Sequence, residues 1–209
     1  MMLKERTDCA GMGILRVSLL LLLTLAVLPA SSLAAQKKPS PIPRATAIKG
    51  SYLYYFAHYV TWPKKTRAPA DRFVITVMGN APLVLVLKKL SLKKKVRGKP
   101  LVIRTLRTLK DWKPCHILFI GKSRKSELAR VRRLAERDHV LLVGDTPGFE
   151  KRGCTINFFE KNNNVRFFIN LSAERKAGLK ISSKLLNVAV IVRRLVKKSP
   201  YGARTKSAE

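Results

Sequence analysis

Acidic residues are scarce in this chain: 12 aspartates and glutamates stand against 43 lysines and arginines, for a formal net charge of +31 over 209 residues. With so few carboxylates, Asp145 has no second acid or base near it in sequence to form a catalytic pair. The three histidines, His58, His116 and His139, lack metal-ligand spacing and lie within or beside apolar segments, so core or surface packing explains them better than a metal. A nucleophile signature of the Gly-x-Ser-x-Gly kind is absent. Gly121-Lys122-Ser123 imitates a phosphate-cradling loop, but that loop needs an earlier glycine five positions upstream, where this chain has His116. These absences point away from an enzyme, with no cofactor and no metal expected.

An apolar run long enough to cross a bilayer is missing as well. Lys4, Arg6 and Arg16 precede an apolar stretch from Val17 to Leu28, and Pro29 and the small residues Ser32-Leu33-Ala34-Ala35 follow it. A spanning helix needs about 20 apolar residues, so this order describes a secretory signal peptide over residues 1–34, cleaved after Ala34 or Ala35. Cys9 precedes the apolar run, where a lipid-modified cysteine would follow it, and it leaves with the leader. The exported part keeps 40 bases and 10 acids.

Such a charge admits polyanionic partners, an acidic envelope polymer among them. Nucleic acid is set aside, because the bases are spread along the chain and not gathered with interleaved stacking aromatics. In an oxidising compartment Cys115 and Cys154 are open to two readings, a disulfide or a pair of free buried thiols.

What the chain does have is one domain's worth of ordered α/β pattern, with 46% hydrophobic residues to build a core. Residues 35–46 carry three prolines and no apolar period, and read as a flexible leader. Ile48, Tyr52, Phe56, Tyr59 and Trp62 recur at helical spacing and predict a helix over Ala47–Trp62, stopped by Pro63. Strands are predicted at Phe73–Met78, Leu101–Leu106, Cys115–Ile120 and Val140–Val143, the third having almost no polar alternation and so reading as central. Helices are predicted from Pro82 to Leu92 and from a Ser123 cap to Arg137. Cys154–Glu160 and Val165–Asn170 form a hairpin through Lys161–Asn164, which makes the sheet mixed. Ser182 to Lys198 reads as a last helix, apolar on nearly every side, whose Leu185, Val188 and Val192 offer a homodimer contact. Residues 193–209 form a basic tail. The fold class is therefore α/β, a single domain with a central mixed sheet flanked by helices.

Loops after strands are where such folds place ligands. The candidate ligand- or partner-binding residues are Asn80 after the first strand, and Asp145, Thr146 and Phe149 after the fourth. Asp145 before Thr-Pro-Gly is equally suited to a plain turn. Trp62 joins them as the aromatic best placed for exposure at its helix end.

Read in order, Tyr52-Leu-Tyr-Tyr-Phe-Ala-His-Tyr-Val-Thr-Trp-Pro63, Phe73-Val-Ile-Thr-Val-Met-Gly79, Arg97-Gly-Lys-Pro-Leu-Val-Ile-Arg104, Cys115-His-Ile-Leu-Phe-Ile120 and Val140-Leu-Leu-Val-Gly-Asp-Thr-Pro-Gly-Phe149 resemble the YfiR family of periplasmic proteins. Ile156-Asn-Phe158, Val165-Arg-Phe-Phe-Ile-Asn-Leu171 and Ala177-Gly-Leu-Lys-Ile-Ser-Ser-Lys-Leu-Leu186 continue the likeness, which spans residues 47–192. The resemblance implies a regulatory or sensor protein held in the periplasm, since relatives include a repressor of a membrane-bound diguanylate cyclase. By that likeness it binds and restrains an inner-membrane signalling protein, of diguanylate cyclase or sensor-kinase type, in cyclic-di-GMP signalling. Reduction of a Cys115–Cys154 bridge is one candidate releasing cue. The alternative is a periplasmic binding protein for a small or polymeric anion, its pocket formed by basic residues and the Asp145–Phe149 loop.

Overall fold

The structure, a computed structural model, describes residues 42–192. The expected signal peptide and basic tail lie outside the described residues, as does most of the proline-rich leader. In chain order the elements are α1 (Arg44–Tyr59), β1 (Val60–Thr61), β2 (Phe73–Met78), α2 (Ala81–Ser91), β3 (Lys95–Val96), β4 (Lys99–Thr105), β5 (Ile117–Ile120), α3 (Leu128–Arg137), β6 (Leu141–Gly144), β7 (Ile156–Lys161), β8 (Asn164–Asn170), α4 (Leu171–Lys176), β9 (Lys180–Ile181), α5 (Ser183–Leu186) and β10 (Val190–Val192).

One eight-stranded sheet runs β10-β8-β7-β6-β5-β2-β4-β3, and β1 pairs separately with β9. From β4 to β7 all neighbours are parallel, while β3 and β8 turn back antiparallel at hairpins. Both hairpins close through two residues of positive φ, Arg97-Gly98 and Asn162-Asn163, which suits the twist of the flanking strands. The central mixed α/β sheet expected from the sequence is what forms.

Period-two alternation divides the core between the two faces of the sheet. Ile75, Val77, Ile117, Phe119, Leu141 and Val143 pack against α1 and α2, with Leu53, Phe56, Leu83 and Leu87. Val74, Met78, Leu118, Ile120 and Leu142 pack against α3, with Leu128, Val131 and Ala135. After β2 the chain steps one way to β4, then returns past β2 to β5 and on to β6. Right-handed crossovers in opposite directions demand helices on opposite faces, as found for α2 and α3.

Several boundaries differ from expectation. The first helix starts at Arg44, inside the expected leader, and ends at Tyr59, because β-branched Val60 and Thr61 pair with Ile181 and Lys180. Ser123 does not cap a helix: its hydroxyl donates to the Gly79 carbonyl at 2.9 Å, and a 3-10 turn over Lys122–Glu127 precedes α3. The long C-terminal helix is absent over the described residues. Ser182 caps one turn only, and Val190–Val192 instead add a strand parallel to β8. Leu185 is buried in the core and Val192 is half-buried, so of the expected dimer residues only Val188 stands out, at 69% exposure.

Candidate functional site

The loop that leaves β6 begins at Gly144, and only glycine fits there. A Cβ would meet the Phe149 ring at 2.7 Å, Asn157 Oδ1 at 3.1 Å and Cys154 Sγ at 3.2 Å. Phe149 is therefore wholly buried, an anchor under the loop and not the pocket wall the sequence suggested. Asn157 of β7 donates from Nδ2 to the Thr146 carbonyl at 2.9 Å and to Glu150 Oε2 at 2.8 Å. Asn170 Nδ2 donates to the Glu150 carbonyl at 2.6 Å. The loop is thus pinned from below by a ring and from the side by two amides.

Above this base Asp145 faces Lys49 of α1, with Lys49 Nζ 3.3 Å from Asp145 Oδ2 and 3.4 Å from Glu160 Oε1. The side chains of Lys49 and Asp145 are each 12% exposed. A cleft of about 290 Å³ opens here, lined by Asp145, Glu150 and Glu160 with Lys49, Phe159 and Phe168. Three carboxylates and one lysine line this cleft, so the Asp145 loop does not form the anion pocket expected of it. Asp145 Oδ1, Thr146 Oγ1 and Asn157 Oδ1 are buried without a hydrogen-bond partner in the described residues.

Bases gather instead in a second cleft of about 500 Å³ between α3, the loop before β7 and α4. Arg132, Lys151, Arg152 and Lys176 line it, against the single acid Glu136. Arg132 is paired with Glu136 at 2.9 Å, and Arg152 lies over the Phe149 ring at 5.9 Å. Sequence reading missed this grouping, because its members come from three separated segments.

The other candidates are scattered. Asn80 caps α2, its Oδ1 accepting from Leu83 N–H at 3.0 Å. Trp62 lies at the opposite, amino-terminal ends of the strands, half-buried edge-on against Phe73 and His116. Its Nε1 donates to the His116 carbonyl at 3.0 Å, so it is a packing residue, and the exposed rings are Tyr55 and Tyr59.

His116 Nδ1 accepts from Val74 N–H at 3.1 Å, and burial, helped by the charges of Lys99 and Arg97, pushes its pKa down to about 4. Cys115 and Cys154 are free and buried, with β6 lying between the strands that follow them. Two strand spacings of about 4.8 Å separate those strands, beyond the reach of a disulfide, which corrects the bridge reading. Burial pushes the Cys115 thiol up to about 12 and Cys154 well above the ordinary thiol range, so both stay protonated. Among the described residues no group of three histidine, cysteine or acidic side chains could hold a metal, and no helix is long and apolar enough to cross a membrane.

The sequence profile of YfiR/HmsC-like proteins matches residues 46–190, nearly everything the structure describes. The chain belongs to the YfiR/HmsC-like family. No curated protein is significantly similar to it. Among solved structures, a conserved domain protein from Vibrio cholerae O1 biovar El Tor is similar at 15% identity and a TM-score of 0.45, over 61% of this chain and 57% of that one. The chain thus spans little more than half of that relative. The match covers the elements from α1 to α5, less the first two residues of α1, and reaches the first residue of β10.

Proposed function

We propose that this YfiR/HmsC-like protein is a periplasmic regulator that binds and restrains an inner-membrane signalling protein, of diguanylate cyclase or sensor-kinase type. The family match over residues 46–190 carries the reading. The leader read from residues 1–34 supports the compartment. The carboxyl ends of the strands, where Asp145 meets Lys49 and Glu160 at an open cleft, supply a face for a partner. A releasing cue must favour the free form over the bound form, since a signal of equal affinity for both shifts nothing. With both thiols free and protonated, a Cys115–Cys154 bridge does not serve as that cue.

The test is capture from envelope extracts with the full chain as bait, together with cyclic-di-GMP levels in a deletion strain. Recovery of a membrane cyclase or kinase, with altered cyclic-di-GMP on deletion, is the expected result. Recovery of no membrane signalling protein, with unchanged cyclic-di-GMP, overturns it.

The basic cleft favours a second reading, binding of an acidic envelope polymer at Arg132, Lys151, Arg152 and Lys176. Affinity for a polyanion should then fall steeply with salt and fall further in the double variant Lys151→Glu, Lys176→Glu. Equal binding by variant and wild type refutes it.

A further inference from the structure

The parallel strands β4-β2-β5-β6-β7 reverse their winding direction between β2 and β5. In open α/β sheets the carboxyl ends beside such a reversal are the usual place for a small ligand. Here a cleft of about 750 Å³, larger than either cleft above, lies over the ends of β2 and β4 and the first turn of α2.

Its walls are mostly hydrocarbon: Pro82, Val84, Leu85 and Leu106 line it. Leu85 is 54% exposed on the outer side of α2, a large apolar side chain that the protein itself leaves uncovered. The charged residues lining the cleft are Arg107 and Arg124, and no carboxylate lines it. Arg124 is held by Glu127 at 2.6 Å and by the Arg107 carbonyl at 2.6 Å, so its charge is largely spent within the fold. Arg107 is exposed and makes no ion pair among the described residues.

An apolar trough with one free guanidinium at its lip calls for a ligand with a hydrocarbon body and an anionic head. We propose that this cleft binds a free amphiphilic monoanion, an alkyl carboxylate in its simplest form, with the chain along Leu85 and Leu106 and the head at Arg107. The site is separate from the Asp145 cleft and goes beyond the regulatory reading, so it stands or falls independently of partner capture.

Calorimetric titration of the full chain with dodecanoate, dodecanol and inorganic phosphate tests it. Dodecanoate should bind at one site, more tightly than dodecanol, and phosphate should not compete. Leu85→Glu places a carboxylate against the hydrocarbon chain of an anionic ligand and should weaken dodecanoate at least about tenfold. Arg107→Ala should weaken dodecanoate by about the same factor and leave dodecanol unchanged. Both side chains are exposed, so an unshifted thermal melt verifies that the variants fold. Dodecanoate binding that is unaltered by Leu85→Glu, or lost in moderate salt with many sites, reveals adsorption to the basic surface and overturns the site. Binding to anionic vesicles but not to dissolved dodecanoate overturns the choice of a free ligand.

Discussion

At the amino ends of the parallel strands the buried polar groups are bonded to one another, whereas at the carboxyl ends several are not. Asp138, fully buried, accepts from Trp112 Nε1 at 2.7 Å, from Arg137 Nε at 2.8 Å and from Arg67 Nη1 at 3.3 Å. Close by, His116 accepts from Val74, Trp62 donates to the His116 carbonyl, and His139 Nδ1 lies 2.9 Å from the Ala177 carbonyl. Of the five buried side-chain atoms without a partner among the described residues, four belong to Arg124, Asp145, Thr146 and Asn157 at the carboxyl ends. An unmade buried hydrogen bond costs about 1–3 kcal/mol, so the bonded groups at the amino ends contribute to stability.

The largest effect that tests this division falls on Phe149, which sits at the carboxyl end yet belongs to the core. Phe149→Ala should destabilise by about 3–5 kcal/mol, as removal of a buried ring does. Urea denaturation measures it, and a cost under about 1 kcal/mol would return Phe149 to the pocket wall.

Acid should attack the amino end in two steps. The pKa of His116 is lowered to about 4, chiefly by burial, while the unfolded chain protonates near the ordinary histidine value of about 6.5. Between those values the unfolded state binds the proton and the native state does not. Stability therefore falls as pH drops from about 6.5 to 4, by roughly 3 kcal/mol, and His116→Gln should flatten that slope.

Asp138 acts below that window. The Arg137 guanidinium holds its carboxyl beneath the ordinary range against the opposing effect of burial, with Trp112 assisting. Its contribution is present above about pH 4 and is lost as pH falls further, through the folded-state value. Asp138→Asn should cost about 2 kcal/mol at neutral pH. A denaturation series that shows a slope in only one of the two ranges would assign the acid response to one residue alone.

The sequence made the sheet legible because burial on both faces leaves a local mark. Ile117-Leu118-Phe119-Ile120 and Phe73–Met78 carry no polar alternation beyond Thr76, and both are central strands. Asn80 and Asp145 lie in strand-end loops as expected. The C-terminal helix was misread because Leu185–Val192 is apolar at every position but Asn187, so periodicity could not choose between helix and strand. Trp62 misled for another reason: its edge-on contact with His116 depends on a neighbour 54 residues away. The basic cleft and the role of Asp138 were invisible on the same ground, each being assembled from separate segments of a chain that is basic throughout.

The smallest effect should be at Asp145, and it bears most directly on function. Asp145→Asn removes a charge from Lys49, but Lys49 keeps Glu160 at 3.4 Å and is not left as an uncompensated buried cation. The stability cost should stay under about 1 kcal/mol, below that of Asp138→Asn. Capture of the membrane partner should nevertheless drop, because the loop that loses its charge lines the cleft at the carboxyl ends of the strands, where such folds place ligands. If Asp145→Asn destabilises as much as Asp138→Asn and leaves capture intact, Asp145 is a structural brace like those at the opposite end, and the partner must dock elsewhere.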